Sequence, residues 1–514
     1  MIIDARTVPE GTVVETEVCI IGAGAAGITL AREFMGAGFR VALLESGGLD
    51  FDERTQDLYV GGTAGRPYLR LHVCRLRFFG GTTNHWAGWC VPFDEADFAE
   101  REGLSYRGWP MSRSDLAPYY ERALAVCQVG PKGFEPGAWG IALKDIPGPF
   151  NGPRFVTKVL QVSPPTRFGR VYVEQLRKAP RLSVYLNANV LTLDANRSGR
   201  EVREVKVGTL GGNRFRVRAR VFVLASGGIE NARLLLLSGQ GLGNAHDLVG
   251  RFFMVHLEYS GGVIAVSDPY ANFDFNRTYA DKPIVSYVGL SDAAMRELKL
   301  ANIRLTWEYE LGSVSEALAA LKRLSGEGTK ESDTWSDLGT VLGDLDGVSA
   351  YVFRRALFGQ GVPVKALTLR CHSEQVPNPV SRIRLGSELD ALGQRRVVVD
   401  WRVTGEDKRQ VNAIHQLLGT EMGRAGFGRL RSALTTDETQ WPSDLRGNEH
   451  HMGTTRMHRD PQFGVVDENA RVHGVGNLYV AGSSVFPTSG AANPTLTIVA
   501  LALRLADHIK ERMA

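Results

Sequence analysis

Three glycines near the start of the 514-residue chain have the spacing of a phosphate-binding turn. Gly22 permits a tight turn, Gly24 lets the backbone approach a pyrophosphate, and Gly27 lets a helix pack closely on the preceding strand. The positive end of that helix would then hold the phosphates. Glu45 follows at close to the spacing of about 20 residues expected for an acid that binds a ribose hydroxyl. Together these residues predict a dinucleotide site.

A strand, a turn and a helix must follow one another for these glycines to act together. Residues 17–21 are a short run rich in β-branched and apolar residues, and residues 25–35 have a helical pattern. Residues 40–44 predict a second strand that ends at Glu45. Because these elements agree with the glycine spacing, we prefer a dinucleotide site to a purely structural glycine turn. A carboxylate at Glu45 would repel a ribose 2′-phosphate, which argues against NADP.

The glycine motif does not separate FAD from NAD, because both present an ADP half to the same turn. Further motifs, running almost from end to end, resemble the glucose-methanol-choline (GMC) family of flavoprotein oxidoreductases. The main matches are Arg77–Trp86, His450–Thr454 and Asn493–Thr497. Shorter matches are Gly108–Pro110, Tyr119–Tyr120, Ala225–Asn231, Glu374–Gln375, Ser381–Arg382 and Asp400–Trp401. The Gly-Gly-x-x-x-His-Trp pattern is most similar to the pyranose oxidase and sugar or glycoside oxidase branch.

The resemblance implies an α/β fold, α+β overall, with a Rossmann-like FAD-binding domain and a substrate-binding domain built on an antiparallel sheet with helices. The FAD-binding domain would be discontinuous, over residues 16–98, 182–255 and 464–514. Residues 99–181 would connect the domains and cover the flavin, and residues 256–463 would form the substrate-binding domain.

Periodicity adds detail to this organisation. Residues 218–225 predict a buried strand of the FAD-domain sheet, followed by a helix over residues 229–237. Residues 303–309 and 396–403 predict strands of the antiparallel sheet. Residues 314–358 have a helical pattern and would form a lid, a subunit contact or a packed excursion with neither role.

Oxidation of an alcohol requires a base that takes the hydroxyl proton as hydride leaves the carbon, and imidazole suits that task near neutral pH. The family pattern of histidine, two residues and Gly-Thr selects His450 as the catalytic base. Neighbours in an extended segment point to opposite sides, so we expect His451 to be structural. The resemblance makes Asn493 the partner of His450 on the substrate oxygen. Its place before Pro494, at the start of a predicted helix over residues 495–510, also allows a capping role.

The resemblance places the flavin between the Gly-Gly segment and the C-terminal histidine segment. Gly80, Gly81 and Thr82 would lie along the pyrophosphate or the ring edge, while Gly482 and Ser483, after Ala481, would cover the opposite side. The remaining expected cofactor contacts are Val190, Ala225, Asn493 and Thr495.

His85 stands where pyranose oxidases attach FAD covalently through a histidine. Asn84 departs from the threonine that usually precedes that histidine, and the sequence leaves covalent attachment open. His256 is another family-like position, which we interpret as a satisfied core histidine. The other histidines and the five cysteines show no metal-ligand spacing, so no metal is predicted.

The resemblance favours a sugar or glycoside as the substrate, oxidised at a secondary ring hydroxyl, at C3 or C2, to a ketone with hydride passing to flavin N5. A sugar ring needs stacking surfaces and several hydrogen-bonding partners. The candidates are Arg304, Trp307, Tyr309, His372, Glu374 and Gln375.

The sequence leaves two other enzyme activities open. One is a dehydrogenase of another alcohol, such as an aminoglycoside precursor, cyclitol, sterol or aromatic alcohol. The other is a flavin-containing lyase of the same fold. A non-catalytic binding protein is disfavoured because both His450 and Asn493 are present. Oxygen or a quinone-type acceptor would reoxidise the flavin.

The composition and charge of the chain limit the classes of partner that we expect. The net charge is +4 and basic residues are dispersed among acidic ones, so we expect neither nucleic acid nor a membrane surface as a partner. No apolar run reaches the length of about 20 residues that a membrane-spanning helix needs. Residues 1–16 do not resemble a secretory signal, and the odd number of scattered cysteines favours a reducing cytoplasm. A homo-oligomer is compatible with the sequence.

Overall fold

The computed structural model describes residues 1–101, 108–146, 148–164, 166–239, 241–269, 283–311, 334–343 and 364–514, with residues 317, 320 and 324. Of the segment predicted to be helical over residues 314–358, it therefore shows helix 334–343 and those three residues. The rest of that segment lies outside the described residues.

The strands, in chain order, are β1 (Ile2–Asp4), β2 (Val13–Glu15), β3 (Val18–Ile21), β4 (Val41–Leu44), β5 (Gly62–Gly65), β6 (Trp89–Cys90), β7 (Phe155–Val162), β8 (Leu182–Leu186), β9 (Asn189–Ala195), β10 (Val202–Gly208), β11 (Arg214–Arg218), β12 (Val221–Leu224), β13 (Leu257–Val266), β14 (Ile284–Leu290), β15 (Ile303–Leu311), β16 (Val364–Ser373), β17 (Arg382–Leu389), β18 (Arg395–Trp401), β19 (Gly428–Ser432), β20 (Arg446–Gly447) and β21 (Leu478–Val480). The described α-helices are α1 (Ala25–Phe34), α2 (Glu53–Asp57), α3 (Glu95–Phe98), α4 (Arg113–Val126), α5 (Phe168–Lys178), α6 (Gly227–Leu237), α7 (Asp292–Leu298), α8 (Thr334–Gly343), α9 (Gly405–Arg424) and α10 (Thr495–Met513).

A six-stranded sheet carries the dinucleotide motif, with strand order β1-β8-β4-β3-β12-β21. All of its strand pairs are parallel. Every residue of β3, β4 and β12 is buried, as expected of central parallel strands covered by helices on both faces. The predicted strand, glycine turn and helix are confirmed, as is the second strand before Glu45. The fold class is thus confirmed.

A larger sheet forms the second layer, in the order β19-β13-β16-β15-β14-β7-β6, with β20 paired to β13. Its pairs are antiparallel. β7, which lies between residues 99 and 181, is an integral strand of this sheet. The strand predicted over residues 303–309 is confirmed as β15, in contact with β16 along its whole length.

Two strand predictions require correction. Most of residues 396–403 form the strand β18, which ends at Trp401, but β18 belongs to a separate three-stranded sheet, where it pairs antiparallel with β17 and parallel with β5. The hairpin with β17 and the short strand β5 satisfy its backbone, so it does not join β15. Residues 218–225 contain the predicted buried strand of the FAD-domain sheet, but it is shorter: β11 ends at Arg218 in one sheet, and β12 begins at Val221 beside β3 in another. The chain changes sheets between them.

The two larger hydrophobic cores of the described ranges follow this division. One packs α1 and α10 against the six-stranded sheet, and the other packs α9 against the larger antiparallel sheet. No helix in the described ranges combines the length and apolar character needed to cross a membrane. The boundaries of the FAD-binding, connecting and substrate-binding segments stay predictions.

Candidate active site

A cavity of about 950 Å³ runs between the two layers. Its volume lies at the upper end of the range of roughly 300–1,000 Å³ for small-molecule and cofactor sites. One end is bordered by the residues that follow β3, β4 and β12, because parallel strands bring their carboxyl ends to the same edge of a sheet. The other end is bordered by His450 and Asn493.

The glycine turn has the shape that a pyrophosphate requires. A Cβ on Gly27 would lie 1.8 Å from the carbonyl oxygen of Gly22, so only glycine lets α1 approach β3 this closely. Gly22 has φ +105°, and a Cβ there would lie 2.7 Å from Ala225 O. A Cβ on Gly24, in contrast, would meet nothing within 4 Å, and Gly24 borders the cavity. The open space beside Gly24, at the N-terminus of α1, fits the phosphates of a dinucleotide.

Glu45 is held in place by the backbone around it. Its Oε2 accepts a hydrogen bond from the N–H of Ala23 at 2.8 Å, and its Oε1 accepts one from the N–H of Gly47 at 3.0 Å. The side chain borders the cavity at the edge of the sheet. The carboxylate is thus positioned at the end where the sequence predicts an ADP ribose.

Charged residues to which the sequence analysis gave no role also line this end of the cavity. The guanidinium groups of Arg75 and Arg77 lie 3.9 and 4.8 Å from the ring of Tyr59. Arg75 also donates to Glu230 at 2.8 Å. Burial opposes ionisation of Glu230, but Arg233, Arg75 and Arg77 outweigh it and lower its pKa to about 2. The cationic side chains suit a wall that faces phosphate and ribose oxygens.

One glycine prediction requires correction. Gly80 was expected along the cofactor, yet it does not border the cavity. Its N–H donates to Ala23 O at 2.8 Å, and a Cβ on Gly80 would lie 2.7 Å from Gly169 N. Gly80 therefore serves the close packing of the turn on α5. Asn84, the departure from the family pattern, donates from Nδ2 to Phe79 O and Gly81 O, each at 3.0 Å, and so braces the same turn.

The other expected cofactor contacts do border the cavity. They are Gly22, Gly24, Glu45, Gly81, Thr82, His85, Val190, Ala225, Gly482, Ser483, Asn493 and Thr495. Gly27 lies behind the turn, in agreement with its predicted packing role. Burial lowers the pKa of His85, which keeps this imidazole neutral at the cavity wall.

His450 and Asn493, which are 43 residues apart in the chain, meet at the far end of the cavity. Nδ2 of Asn493 lies 3.4 Å from Nε2 of His450. Oδ1 of Asn493 accepts a hydrogen bond from Nη1 of Arg304 at 2.7 Å. On the other side of the ring, Nδ1 of His450 lies 2.8 Å from Nδ1 of His256. Both predicted catalytic residues thus belong to one polar chain.

The direction of that chain follows from the donors at its ends. Arg304 can only donate, so it fixes Oδ1 of Asn493 as the acceptor and turns the Nδ2 donor towards His450. At the other end, Nε2 of His256 donates to the backbone carbonyl of Ser489 at 3.1 Å. A neutral His256 then offers a lone pair at Nδ1, and the single proton between the two rings belongs to Nδ1 of His450. Nε2 of His450 is left unprotonated, as a base must be.

Asn448 makes a competing contact at the same nitrogen. Its Oδ1 accepts hydrogen bonds from the backbone N–H groups of His450 and His256, at 3.1 and 3.2 Å. Its Nδ2 lies 2.8 Å from Nδ1 of His450, and a donor there favours the tautomer with the proton on Nε2. The protonation of His450 therefore depends on the balance between His256 and Asn448.

Electrostatics keep these imidazoles uncharged. Burial holds the pKa of His450 well below its usual value, and repulsion from Arg304 and from the protonated forms of His256 and His372 adds to this effect. Burial lowers the pKa of His256 to about 4. The pKa of His372 is also held well below its usual value by burial, Arg304 and His256. At neutral pH, His450 is ready to accept a proton.

His451 differs from its neighbour, as the sequence predicts. Its Nε2 lies 3.7 Å from Sγ of Cys74, and its ring stacks on Phe253. It borders the same cavity but makes none of the polar contacts of His450. Behind it, a Cβ on Gly228 would lie 2.2 Å from the carbonyl oxygen of His451, so α6 packs directly on this segment.

His256 is fully buried and hydrogen-bonded, as a satisfied core histidine should be, but one of its partners is His450 itself. Sequence reasoning missed this role and gave no signal for Asn448. The ligand nitrogens of His256, His372 and His450 all lie within 4.8 Å of one another, an arrangement that spacing along the chain did not reveal. The prediction that no metal binds stays a prediction.

The expected sugar-binding residues divide into two groups. Arg304 and His372 face each other across β15 and β16 and border the cavity. Trp307 lies three residues after Arg304, so strand alternation turns it to the opposite face, where it packs on Phe150. Glu374 and Gln375 are buried as well. The side chain of Tyr309 is not among those that the structure describes.

The internal pair have other partners. Glu374 accepts hydrogen bonds from the buried Arg101 at 2.8 and 2.9 Å. Gln375 accepts from Trp401 Nε1 at 3.1 Å and donates to Arg402 O at 2.8 Å. Neither borders the cavity, so their prediction as sugar contacts is wrong.

Comparison with known proteins places this site in context. The model of the GMC oxidoreductase family matches residues 377–502. The chain is 26% identical to 6'''-hydroxyparomomycin C oxidase of Streptomyces lividus, over 97% of this chain and 92% of that protein. It is 27% identical to paromamine 6'-oxidase of Streptomyces fradiae, over 96% of this chain and 91% of that protein.

Among solved structures, pyridoxine 4-oxidase from Mesorbium loti superimposes with a TM-score of 0.56, at 19% identity over 96% of this chain and 98% of that chain. This likeness confirms the architecture. The motifs at both ends of the cavity, the family match and the full-length relatives agree. Residues 377–502 thus match the GMC oxidoreductase family, and the chain is an FAD-dependent enzyme that acts on alcohol groups.

Proposed function

We propose that the protein oxidises an alcohol group on a sugar or glycoside, with His450 as the base that accepts the hydroxyl proton. The supporting observation is that Nε2 of His450 lies 3.4 Å from Nδ2 of Asn493 at the end of a cavity that begins at the glycine turn. The full-length relatives, whose names describe oxidases of paromomycin and paromamine compounds, support a sugar-containing substrate.

The chain's own residues carry the proton steps. The substrate hydroxyl donates to Nε2 of His450, and Nδ2 of Asn493 donates to the same oxygen, which positions the C–H bond for transfer. As the proton moves to Nε2, the hydrogen bond from Nδ1 to His256 spreads the positive charge over two rings. Bound FAD supplies the hydride acceptor, and the product is a carbonyl compound.

The residues around the proposed flavin site fit a ring that gains negative charge. Thr495 begins α10, a helix of 19 residues whose N-terminus borders the cavity together with Pro494. Unpaired N–H groups at a helix start favour negative charge. Gly482, with φ +108°, would place a Cβ within 4 Å of no other atom, which leaves room for a flat ligand.

His85 is the side chain through which a covalent flavin bond would form. It borders the cavity, and its neutral imidazole is the nucleophilic form. Precipitation of the holoenzyme in acid tests the bond, because covalent flavin stays in the pellet and free flavin does not. If the flavin is bound covalently through His85, the H85A variant should lose its flavin to the supernatant in this test.

An amino sugar is the second candidate substrate, because the full-length relatives are named for oxidases of paromomycin and paromamine compounds. The position of the oxidised carbon also differs between the candidates. The family resemblance favours a ring hydroxyl at C2 or C3, whereas the second of these relatives is named as a 6'-oxidase. The NMR spectrum of the product distinguishes a ring ketone from an aldehyde at C6.

Anaerobic mixing of the holoenzyme with neutral sugars, methyl glycosides, amino sugars and simple alcohols tests the proposal. We expect loss of the oxidised-flavin absorption with a sugar or glycoside, and recovery in air would identify oxygen as the acceptor. Flavin that no alcohol reduces would contradict the proposal and favour the lyase reading.

The variant H450N should reduce the rate of flavin reduction by about 10²-fold to 10⁴-fold, the usual contribution of a general base. H246N is the matched control, because His246 is exposed and lies outside the cavity. Equal reduction rates in wild type and H450N would remove His450 from the role of base.

A further inference from the structure

Arg304 is a buried cation at the reacting end of the cavity. Its side chain borders the cavity, yet the residue is only 6% exposed. Removal of a guanidinium from water is costly unless an anion accompanies it. The cost is visible in its pKa, which burial lowers to about 10.

No carboxylate in the described part of the chain forms an ion pair with Arg304. Its hydrogen bond goes to the neutral amide of Asn493, at 2.7 Å. The rings of Trp89 and Tyr287 lie 5.1 and 6.0 Å from the guanidinium, and these contacts hold a cation without neutralising it. Of its five N–H donors, one bonds to Asn493 and the other four have no acceptor within the described ranges, and the residue borders the cavity.

Glu258 is the acid whose charge acts on Arg304, and it makes its hydrogen bonds to other residues. Glu258 borders the cavity, but its Oε2 accepts from Arg446 at 2.7 and 3.0 Å, and its Oε1 lies 3.2 Å from Nδ1 of His372. Asn448 also approaches this carboxylate, at 3.5 Å. Glu258 therefore stabilises the cation of Arg304 from a distance and forms no ion pair with it, which leaves Arg304 able to bind an anion beside His450.

We propose that Arg304 forms an anion subsite, and that the substrate carries a carboxylate or phosphate close to the alcohol that is oxidised. A sugar acid is the simplest such substrate, since it joins the ring alcohol to an anionic oxygen group. The planar fork of a guanidinium matches two oxygens of such a group. An amino sugar would instead bring an ammonium group next to a buried cation, at a cost in binding.

This inference rests on the proposed function for its choice of a sugar, but the subsite itself is testable without turnover. The first experiment compares matched pairs under anaerobic conditions: methyl glycosides of glucose, galactose and mannose against the corresponding methyl uronides, and each free sugar against its 6-phosphate. The readout is kcat/KM for flavin reduction in wild type, R304M and R304K.

In wild type, one anionic member should exceed its neutral partner by about 10-fold to 100-fold, the value of a charge-assisted hydrogen bond. R304M should abolish that preference, and R304K should keep part of it. A carboxylate is the ligand if the uronide is preferred, and a phosphate if the sugar phosphate is. R424M is the matched control, because Arg424 is exposed on α9 and pairs with Glu421.

The second experiment uses equilibrium dialysis to measure how tightly the oxidised holoenzyme binds methyl glucuronide and inorganic phosphate. We expect R304M to weaken the binding of one of them by at least about 10-fold and R424M to leave it unchanged. Flavin content and circular dichroism establish that each variant is folded, and R304K replaces R304M if the latter is not.

The outcomes separate the two proposals. If neutral glycosides reduce the flavin as well as their anionic partners do, the function stands and the anion subsite is overturned. If no sugar reduces the flavin but R304M loses anion binding, the function fails and the subsite stands. Equal anion binding by wild type and R304M, or none by either, overturns the subsite.

Discussion

Nη1 of Arg304 donates to Oδ1 of Asn493 at 2.7 Å, and this contact sets the orientation of the amide that faces His450. Arginine has no acceptor, so the amide nitrogen must point to the imidazole. A side chain on β15 thereby influences which nitrogen of His450 carries the proton. The relationship yields the first prediction.

The variant N493D should raise the pKa of His450. A carboxylate oxygen in place of Nδ2 accepts rather than donates, so it favours a proton on Nε2. The acid limb of the profile of kcat/KM against pH should move up by at least about one unit relative to wild type. N412D, at a residue outside the cavity, should leave the profile unchanged. An unshifted acid limb in N493D would contradict the assigned tautomer.

Removal of the imidazole that supports His450 should also slow the reaction. In H256A, Nδ1 of His450 loses its acceptor and Asn448 stays as its neighbour, which favours the inactive tautomer. We expect kcat to fall by about 10-fold to 100-fold with a smaller change in KM, because His256 acts through His450 and not on the substrate. Rapid-mixing measurements of flavin reduction give both constants.

Added imidazole should restore part of the activity of H256A, because the truncated side chain leaves a space of the right shape. H415N serves as the control, since His415 is buried outside the cavity. If H256A and H415N lose the same activity, His256 has a structural role alone.

Stability should depend on pH through the buried His415. Burial, with a contribution from Lys408, lowers its pKa from 6.5 to about 4 in the folded protein. The unfolded chain therefore binds a proton between pH 6.5 and 4 that the folded protein does not bind, so the stabilisation is complete above pH 6.5 and is lost as pH falls to about 4.

Comparison with H415Q isolates this effect from other titrating groups. The difference in free energy of unfolding between wild type and H415Q should shrink by up to about 1.4 kcal/mol per pH unit below pH 6.5. Urea unfolding at pH 7.5, 6.5, 5.5 and 5 measures it. A difference that stays constant would mean that His415 titrates alike in both states.

Two glycines of the same turn should respond differently to alanine. A Cβ at residue 27 would lie 1.8 Å from Gly22 O, so G27A must separate α1 from β3 and should prevent stable folding. A Cβ at residue 24 meets no protein atom within 4 Å, so G24A should fold normally but retain less FAD. Flavin content and the melting temperature of the apoprotein measure the two effects. G137A, at an exposed glycine with free space, is the control. Equal flavin content in G24A and G137A would contradict the proposed phosphate contact.

The sequence by itself determined the elements whose signals are local. The run before Gly22, the helix after it and the acid at Glu45 are fixed by residues within one short segment, because hydrophobic periodicity and backbone freedom act over a few residues. The pair His450 and Asn493 was identified by family motifs, and the structure brings both to one cavity.

Only the tertiary structure decided what surrounds that pair. His256 is 194 residues from His450, and Arg304 is 189 residues from Asn493, so no local pattern marks either contact. For the same reason the sequence did not show that β18 and β15 belong to different sheets. Strand periodicity indicates that a segment is extended but not which partner strand hydrogen-bonds to its backbone. Partners across the chain are chosen by packing and burial in the whole fold, and these long-range contacts set the charge and the protonation of the site.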